Sequence, residues 1–280
     1  VSNFVAKGGL ATAVGLAILL GADVGSAVVT QLLMVRQSFL IPLLLLIGVV
    51  VFLRAEGSAR QIGRILIGLA LIFVSLDMIR LATGPMVANP ATEAVMSYLG
   101  RDLLTAFILG AVFAWVVHSS VAAVLLFVTL AGQAVLPVPA AAAMILGANL
   151  GGAFIAYVLT LSAPLPSRRM VVANLVLRGG GAALVTLLIA AAPDLLDRLG
   201  AGPTRQSINL HLVFNLALAV IALPFVGALT SVLVRTMPDK PADENTLAAA
   251  SALDPSALDK PQRGLDCAAR ELLGMGQKIE

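Results

Sequence analysis

Charge is scarce in this chain. Asp, Glu, Lys and Arg make up 12% of its 280 residues, about half the usual share in a soluble domain of ~25%. A single cysteine, Cys267, excludes an internal disulfide framework and a cysteine-rich metal site, and two histidines add too few ligands for a zinc constellation. No hydrolase-type triad and no phosphate-cradling glycine loop is present, so the chain reads as no enzyme. What it has in abundance is apolar surface: 59% hydrophobic residues and a mean hydropathy of +1.00. That composition excludes a soluble globule, a disordered tail and a nucleic-acid reader. Continuous apolar runs such as Ile41 to Phe52 do not alternate as barrel strands do. In lipid, such runs satisfy their backbone as helices. The fold class expected is therefore all-α and polytopic, with the bilayer as a partner.

The net charge of +3 hides two regions. Residues 1–238 carry 13 basic and 7 acidic side chains, whereas residues 239–280 carry 5 and 8. The basic excess lies in arginines at the ends of apolar runs (Arg36, Arg54, Arg60, Arg64, Arg80, Arg101, Arg168, Arg169, Arg205, Arg235), where long side chains reach the headgroups. Windows of about 20 apolar residues give spans at Leu10–Val35, Phe39–Leu53, Ile62–Leu81, Leu103–Ala131, Val138–Leu161, Met170–Ala192 and Ile208–Val234. The division expected is a transmembrane domain over 1–237, a Pro/Ala/Ser/Asp-rich linker over 238–261, and the start of a soluble helical domain over 262–280. In that last stretch Leu265, Ala268, Ala269, Leu272 and Leu273 fall at helical spacing. Val1–Leu20 lacks a signal-peptide cleavage pattern and reads as interior sequence of a longer protein.

The chain repeats itself. An offset of 126 aligns residues 1–33 with 127–159 without a gap, and eight of the 33 pairs are identical. At the centre, Leu20-Gly-Ala-Asp-Val-Gly-Ser-Ala27 matches Leu146-Gly-Ala-Asn-Leu-Gly-Gly-Ala153. A weaker pairing at offset 37 sets Asn174 over His211 and Arg178 over Asn215. Arginine placement makes the loop around Arg54, Arg60 and Arg64 cytoplasmic, together with Arg168/Arg169 and Arg235 with its tail. The two copies then finish on opposite faces, the first near Gln37 and the second at Arg168. This is an inverted repeat, whose site belongs at the interface of the copies.

Three groups of residues stand out for chemistry. His118-Ser119-Ser120 interrupts an apolar stretch. A helix break there aims free N–H groups and hydroxyls at an anion; alternatively the serines bond back to the preceding turn. Gly147–Gly152 and Gly21–Ser26 read as helix breaks, where unwound carbonyls with Asn149 and Asp23 suit a hard cation such as sodium. The other reading is small-residue packing, whose spacing Gly21 and Gly25 fit; it leaves Asp23, a carboxylate inside a span, unexplained. Arg178, beside Gly179-Gly180-Gly181, either snorkels inward from about two turns in or serves the anion. Asn209, His211 and Asn215 cap or cross-link helices, or form a shell behind the site. Asp77 is expected to pair with Arg80 or Arg101.

These residues resemble the sodium-dependent phosphate cotransporter family, the type II Na/Pi symporters and their bacterial relatives, over essentially the whole chain and with both ends cut short. His118-Ser119-Ser120 is similar to the family's second Gln-Ser-Ser motif, Gly147–Gly152 and Gly21–Ser26 to its two Gly-Ala-Asn motifs, and Asn209-Leu-His-Leu-Val-Phe-Asn215 to the stretch before its last span. Leu253–Leu273 resembles the first helix of a PhoU-like domain. Where the family has Gln, Thr, Thr and Asn, this chain has His118, Gly152, Ser26 and Asp23. The first Ser-Ser motif falls ahead of Val1 in this register. The resemblance implies symport of inorganic phosphate with sodium across a bacterial inner membrane, with a cytoplasmic tail and no organic cofactor or transition metal. Phosphate would be bound by His118, Ser119, Ser120, Asn149, Gly151, Gly152 and Ser26. Sodium would be bound by Asp23, Gly21, Gly25 and Asn149. A regulator reporting phosphate status, a transporter of another small oxyanion and a homodimer stay open.

Overall fold

The computed structural model describes residues 1–34, 39–86, 89–238 and 261–276. It divides into two units, Val1–Met237 and Pro238–Glu280, each taken by itself. Most of the expected linker, Arg36, Gln37 and residues 277–280 lie outside the described residues.

In order, the helices are α1 (Ser2–Ala6), α2 (Thr12–Leu33), α3 (Leu40–Arg54), α4 (Gly57–Thr83), α5 (Pro90–Arg101), α6 (Leu103–Val117), α7 (Ser120–Gly132), α8 (Val138–Leu159), α9 (Leu165–Ala191), α10 (Pro203–Ala222), α11 (Val226–Thr236) and α12 (Pro261–Gly276). Among the described residues, five helical stretches are long and apolar enough to cross a bilayer: Thr12–Leu33, Gly57–Met86, Val138–Leu159, Leu165–Ala191 and Pro203–Thr236. The last is interrupted by a 3-10 turn at Leu223–Phe225, where Pro224 cannot donate to the helical ladder. The exposed apolar side chains of these helices, including Leu32, Leu81, Leu187 and Ile221, face outward as lipid would require. The molecule is an all-α, polytopic membrane protein.

The stretch Leu103–Ala131 departs from a simple span. It is two helices of 15 and 13 residues, each about 20 Å long and too short to cross a core of about 30 Å. The break is His118, whose φ of 57° is left-handed, and Ser119 caps α7 by accepting from the Ala122 N–H at 3.2 Å. On its other side α6 meets α5 at 106°. Asp102 fixes that corner, accepting from the Thr105 N–H (3.0 Å), the Thr105 hydroxyl (2.6 Å) and the Tyr98 hydroxyl (2.8 Å).

The glycine motifs do not break their helices. Gly21–Ser26 lies within continuous α2 and Gly147–Gly152 within continuous α8. The expected unwound carbonyls are thus engaged in helix bonds. For α8 the reason is packing. A Cβ on Gly147 would sit 1.9 Å from the Phe107 carbonyl oxygen, and one on Gly151 2.3 Å from that of Ala111. The α6 backbone therefore lies directly on α8, as small-residue interfaces allow. Gly21 and Gly25 face open space among the described residues.

Two large apolar clusters, with a smaller one of Leu33, Leu76 and Leu125, hold the first unit together. One centres on the alanine-rich start of α8, with Phe107, Phe127, Ile145, Leu146 and Phe214. The other joins α2, α9, α10 and α11 through Leu16, Leu20, Met170 and Val226. Arg169 is buried rather than reaching the headgroups, and its Nε donates to the Met237 carbonyl at 2.9 Å.

The contacts also fix relative direction. Gly15 abuts Met170, and Asp23 abuts Arg178, an equal step along both chains. Hence α2 runs parallel to α9. Helices α8 and α9 pack on each other across a short connection, so they are antiparallel. The repeat-related helices α2 and α8 therefore run in opposite senses, as an inverted repeat requires.

Candidate functional site

One guanidinium gathers the site. Arg178, midway along α9, is 5% exposed. Its Nη1 donates to Asp23 Oδ1 on α2 at 2.6 Å. Its Nε and Nη2 donate to Asn149 Oδ1 on α8 at 3.3 and 3.1 Å. Asp23 and Asn149 are the matched positions of the two repeats, so the copies meet side by side on a single cation. Arg178 thus does not snorkel. A charge this deep is costly unless paired and hydrogen-bonded, and both repeats supply the partners.

Helix α10 closes the cluster from behind. Asn215 Nδ2 donates to Asn149 Oδ1 at 3.3 Å and to the His211 carbonyl at 2.8 Å. The Nδ2 groups of Asn149 and Asn215 lie 3.4 and 3.2 Å from His211 Nδ1. Nδ1 accepting from these amides puts the ring proton on Nε2. Asp23 Oδ2, His211 Nε2 and Asn215 Oδ1 are buried with no hydrogen-bond partner among the described residues. Buried polar atoms are rarely left so, and three around one guanidinium mark a place built for a further polar group. Asn174 Oδ1, one helical turn before Arg178, is in the same condition.

The α7 terminus borders this cluster. A Cβ on Gly152 would lie 3.1 Å from Ser120 Oγ and 3.9 Å from Arg178 Nη1. Both donors are therefore within 4 Å of one point, which also lies 3.0 Å from Ser120 Cβ, so any side chain at position 152 would press on Ser120. Ser120 opens α7, where the first N–H groups have no intrahelical acceptor and the helix dipole is positive. A hydroxyl, a guanidinium and a half-helix N-terminus around a side-chain-free corner can together hold an oxyanion.

The remaining candidates are placed differently. His118 is exposed, with Nδ1 3.0 Å from the Val116 carbonyl oxygen. Ser119 faces an apolar cavity of about 380 Å³ lined also by Ser75, Leu76 and Leu125. Ser26 donates to the Asp23 carbonyl within α2. Gly151 is filled by α6, and Gly21 and Gly25 touch nothing described. Asn209 cross-links, accepting from Gln31 at 2.8 Å and donating to the Leu199 carbonyl at 2.6 Å. Asp77 pairs with Arg80 at 2.7 Å. The Asp23–Arg178 pairing was not anticipated. Its signal was two opposite charges inside otherwise apolar spans.

These features define a polytopic helical membrane protein in which a buried charged cluster joins two inverted repeats. The chain belongs to the Na+/Pi-cotransporter family, whose model matches residues 1–80 and 85–236. It is 34% identical over its whole length to a protein of Escherichia coli K12 named "Putative inorganic phosphate export protein YjbB", and equally to that of Salmonella typhimurium. It spans about half the length of these relatives, 52%. It is also 24% identical to the Bacillus subtilis protein YqeW, over 81% of this chain and 74% of that one. No solved structure matches the chain.

Proposed function

We propose that this chain forms the substrate-handling core of a protein that carries inorganic phosphate across a membrane together with sodium. The convergence of Asp23, Asn149, Arg178 and Ser120 on one buried corner supports the reading most directly. Phosphate is small, multiply charged and rich in acceptors, and it matches a guanidinium, a hydroxyl and helix N–H donors. Its negative charge cannot cross the bilayer core uncompensated. A cation must therefore travel with it, and sodium is the ion the family description names. Of the two Gly-Ala-[Asp/Asn] side chains, Asp23 has an oxygen to offer a cation, Oδ2, whereas Asn149 Oδ1 is taken up by Arg178 and Asn215.

The terminal sense of α2 against α8 allows the corner to open to either side, and the ion gradients set the net direction. The name of the Escherichia coli relative says export, whereas the sodium gradient across a bacterial inner membrane favours uptake. The arginine pattern supports a cytoplasmic side for the tail that includes α12.

Flux of labelled phosphate into and out of proteoliposomes, with sodium on one side at a time, tests this. Wild-type protein carries phosphate in a sodium-dependent manner, Ser120→Ala slows it at least tenfold, as loss of a charge-assisted hydrogen bond worth about 1.5–3 kcal/mol would, and Ser75→Ala leaves it unchanged. Equal effects of the two serine substitutions contradict the site.

A further inference from the structure

The two repeats differ at the one position where they touch the same cation. Asn149 offers Arg178 a neutral amide oxygen, and Asp23 offers a carboxylate at 2.6 Å. Asp23 engages the Nη1 edge, which is also the edge nearest the open corner of Ser120 and Gly152. Its second oxygen, Oδ2, is buried with no described partner. A carboxylate and a phosphate present similar oxygen pairs to a guanidinium; Nη1 keeps a second N–H, but the carboxylate on its first already neutralises the charge an oxyanion would use.

We propose that Asp23 competes with the substrate for Arg178. An oxyanion bound between Ser120 and Arg178 takes the Nη1 edge, and the carboxylate it displaces becomes the ligand of one sodium ion, with Oδ2 as the first oxygen offered. The inference rests on the phosphate reading above and adds how the anion and cation are coupled. Charge conservation gives it content. With Asp23 in place, guanidinium and carboxylate cancel, so every negative charge of the anion needs a bound cation. With asparagine there, Arg178 itself neutralises one charge, and one fewer cation is required. Asp23 thus sets the cation count, and the chain reaches that count by departing from its own repeat.

Equilibrium binding of labelled inorganic phosphate to the purified protein, titrated with NaCl at constant ionic strength, tests this. For the wild type, affinity rises with sodium. For Asp23→Asn, phosphate binds roughly tenfold tighter at low sodium, and the log–log slope of affinity against sodium falls by about one. Asn149→Asp, which adds the second carboxylate, does the reverse: weaker binding at low sodium and a slope raised by about one. If Asp23→Asn does not fold, Asn149→Asp alone decides. A wild-type slope of zero, or variant slopes equal to a non-zero wild-type slope with Ser120-dependent binding intact, overturns the inference and leaves the phosphate site standing. Absence of phosphate binding by the wild type, or binding indifferent to Ser120→Ala, overturns both.

Discussion

At the scale of single residues, the account depends on Arg178 having partners. A guanidinium with 6% side-chain exposure, facing an Asp23 carboxylate with 18%, is costly to leave alone. Breaking such a pair from one side typically costs about 3–5 kcal/mol. Arg178→Gln should therefore lower the thermal unfolding midpoint of the purified protein markedly, because it leaves the Asp23 carboxyl in the interior without its partner. Asp23→Asn together with Arg178→Gln should recover part of that loss. A double-mutant cycle with no coupling would show that the two charges do not act as a pair. Asp23 and Arg178 were each visible in the sequence as charges inside apolar spans. Their pairing was not, because hydropathy reports depth along a helix and carries nothing about which helix lies opposite. The neutral residues Asn149, His211 and Asn215 were legible as polar side chains inside or at the start of apolar spans, and the orphaned atoms now found on His211, Asn215 and Asp23 give that signal a place.

At the scale of elements, the long helices follow from lipid's demand for internal backbone bonding, so the apolar windows predicted them well. Helix α5 escaped because Glu93 and Arg101 keep its composition ordinary, although Asn89 caps it and Pro90 opens it as local rules expect. The glycine motifs misled for a physical reason. Glycine permits both unwinding and close packing, and only the neighbouring backbone decides between them. Gly147→Ala, which forces a methyl into the Phe107 carbonyl, should destabilise by at least about 1–3 kcal/mol. Gly180→Ala, where nothing lies within 4 Å, should be neutral or stabilising, and paired thermal melts distinguish the two. The α5–α6 corner carries its own pH dependence. Hydrogen bonds from Thr105 and then Tyr98 hold the Asp102 carboxyl down at about 2. Because the folded value lies below the unfolded one, the cap's contribution is complete above the ordinary carboxylate range and lost as pH falls through about 2. The stability difference between Asp102→Asn and wild type should thus be constant from neutral pH down to about 5 and should shrink below that.

At the scale of the whole molecule, the duplication was readable from eight identities in 33 positions. Its inversion was inferred from arginine placement and is matched by the parallel run of α2 along α9. The repeat explains why an aspartate and an asparagine that lie 126 residues apart in sequence reach the same guanidinium. It also explains why the corner sits where α7 begins, since a broken helix supplies N–H donors at a depth where continuous helices have none. The central claim is that an oxyanion occupies this corner. A structure of the protein solved with saturating inorganic phosphate and sodium tests it most directly. The account predicts tetrahedral density within hydrogen-bond reach of Ser120 Oγ and Arg178 Nη1, with the Asp23 carboxylate drawn off the guanidinium. Phosphate bound elsewhere, with the Asp23–Arg178 pair intact, would contradict it.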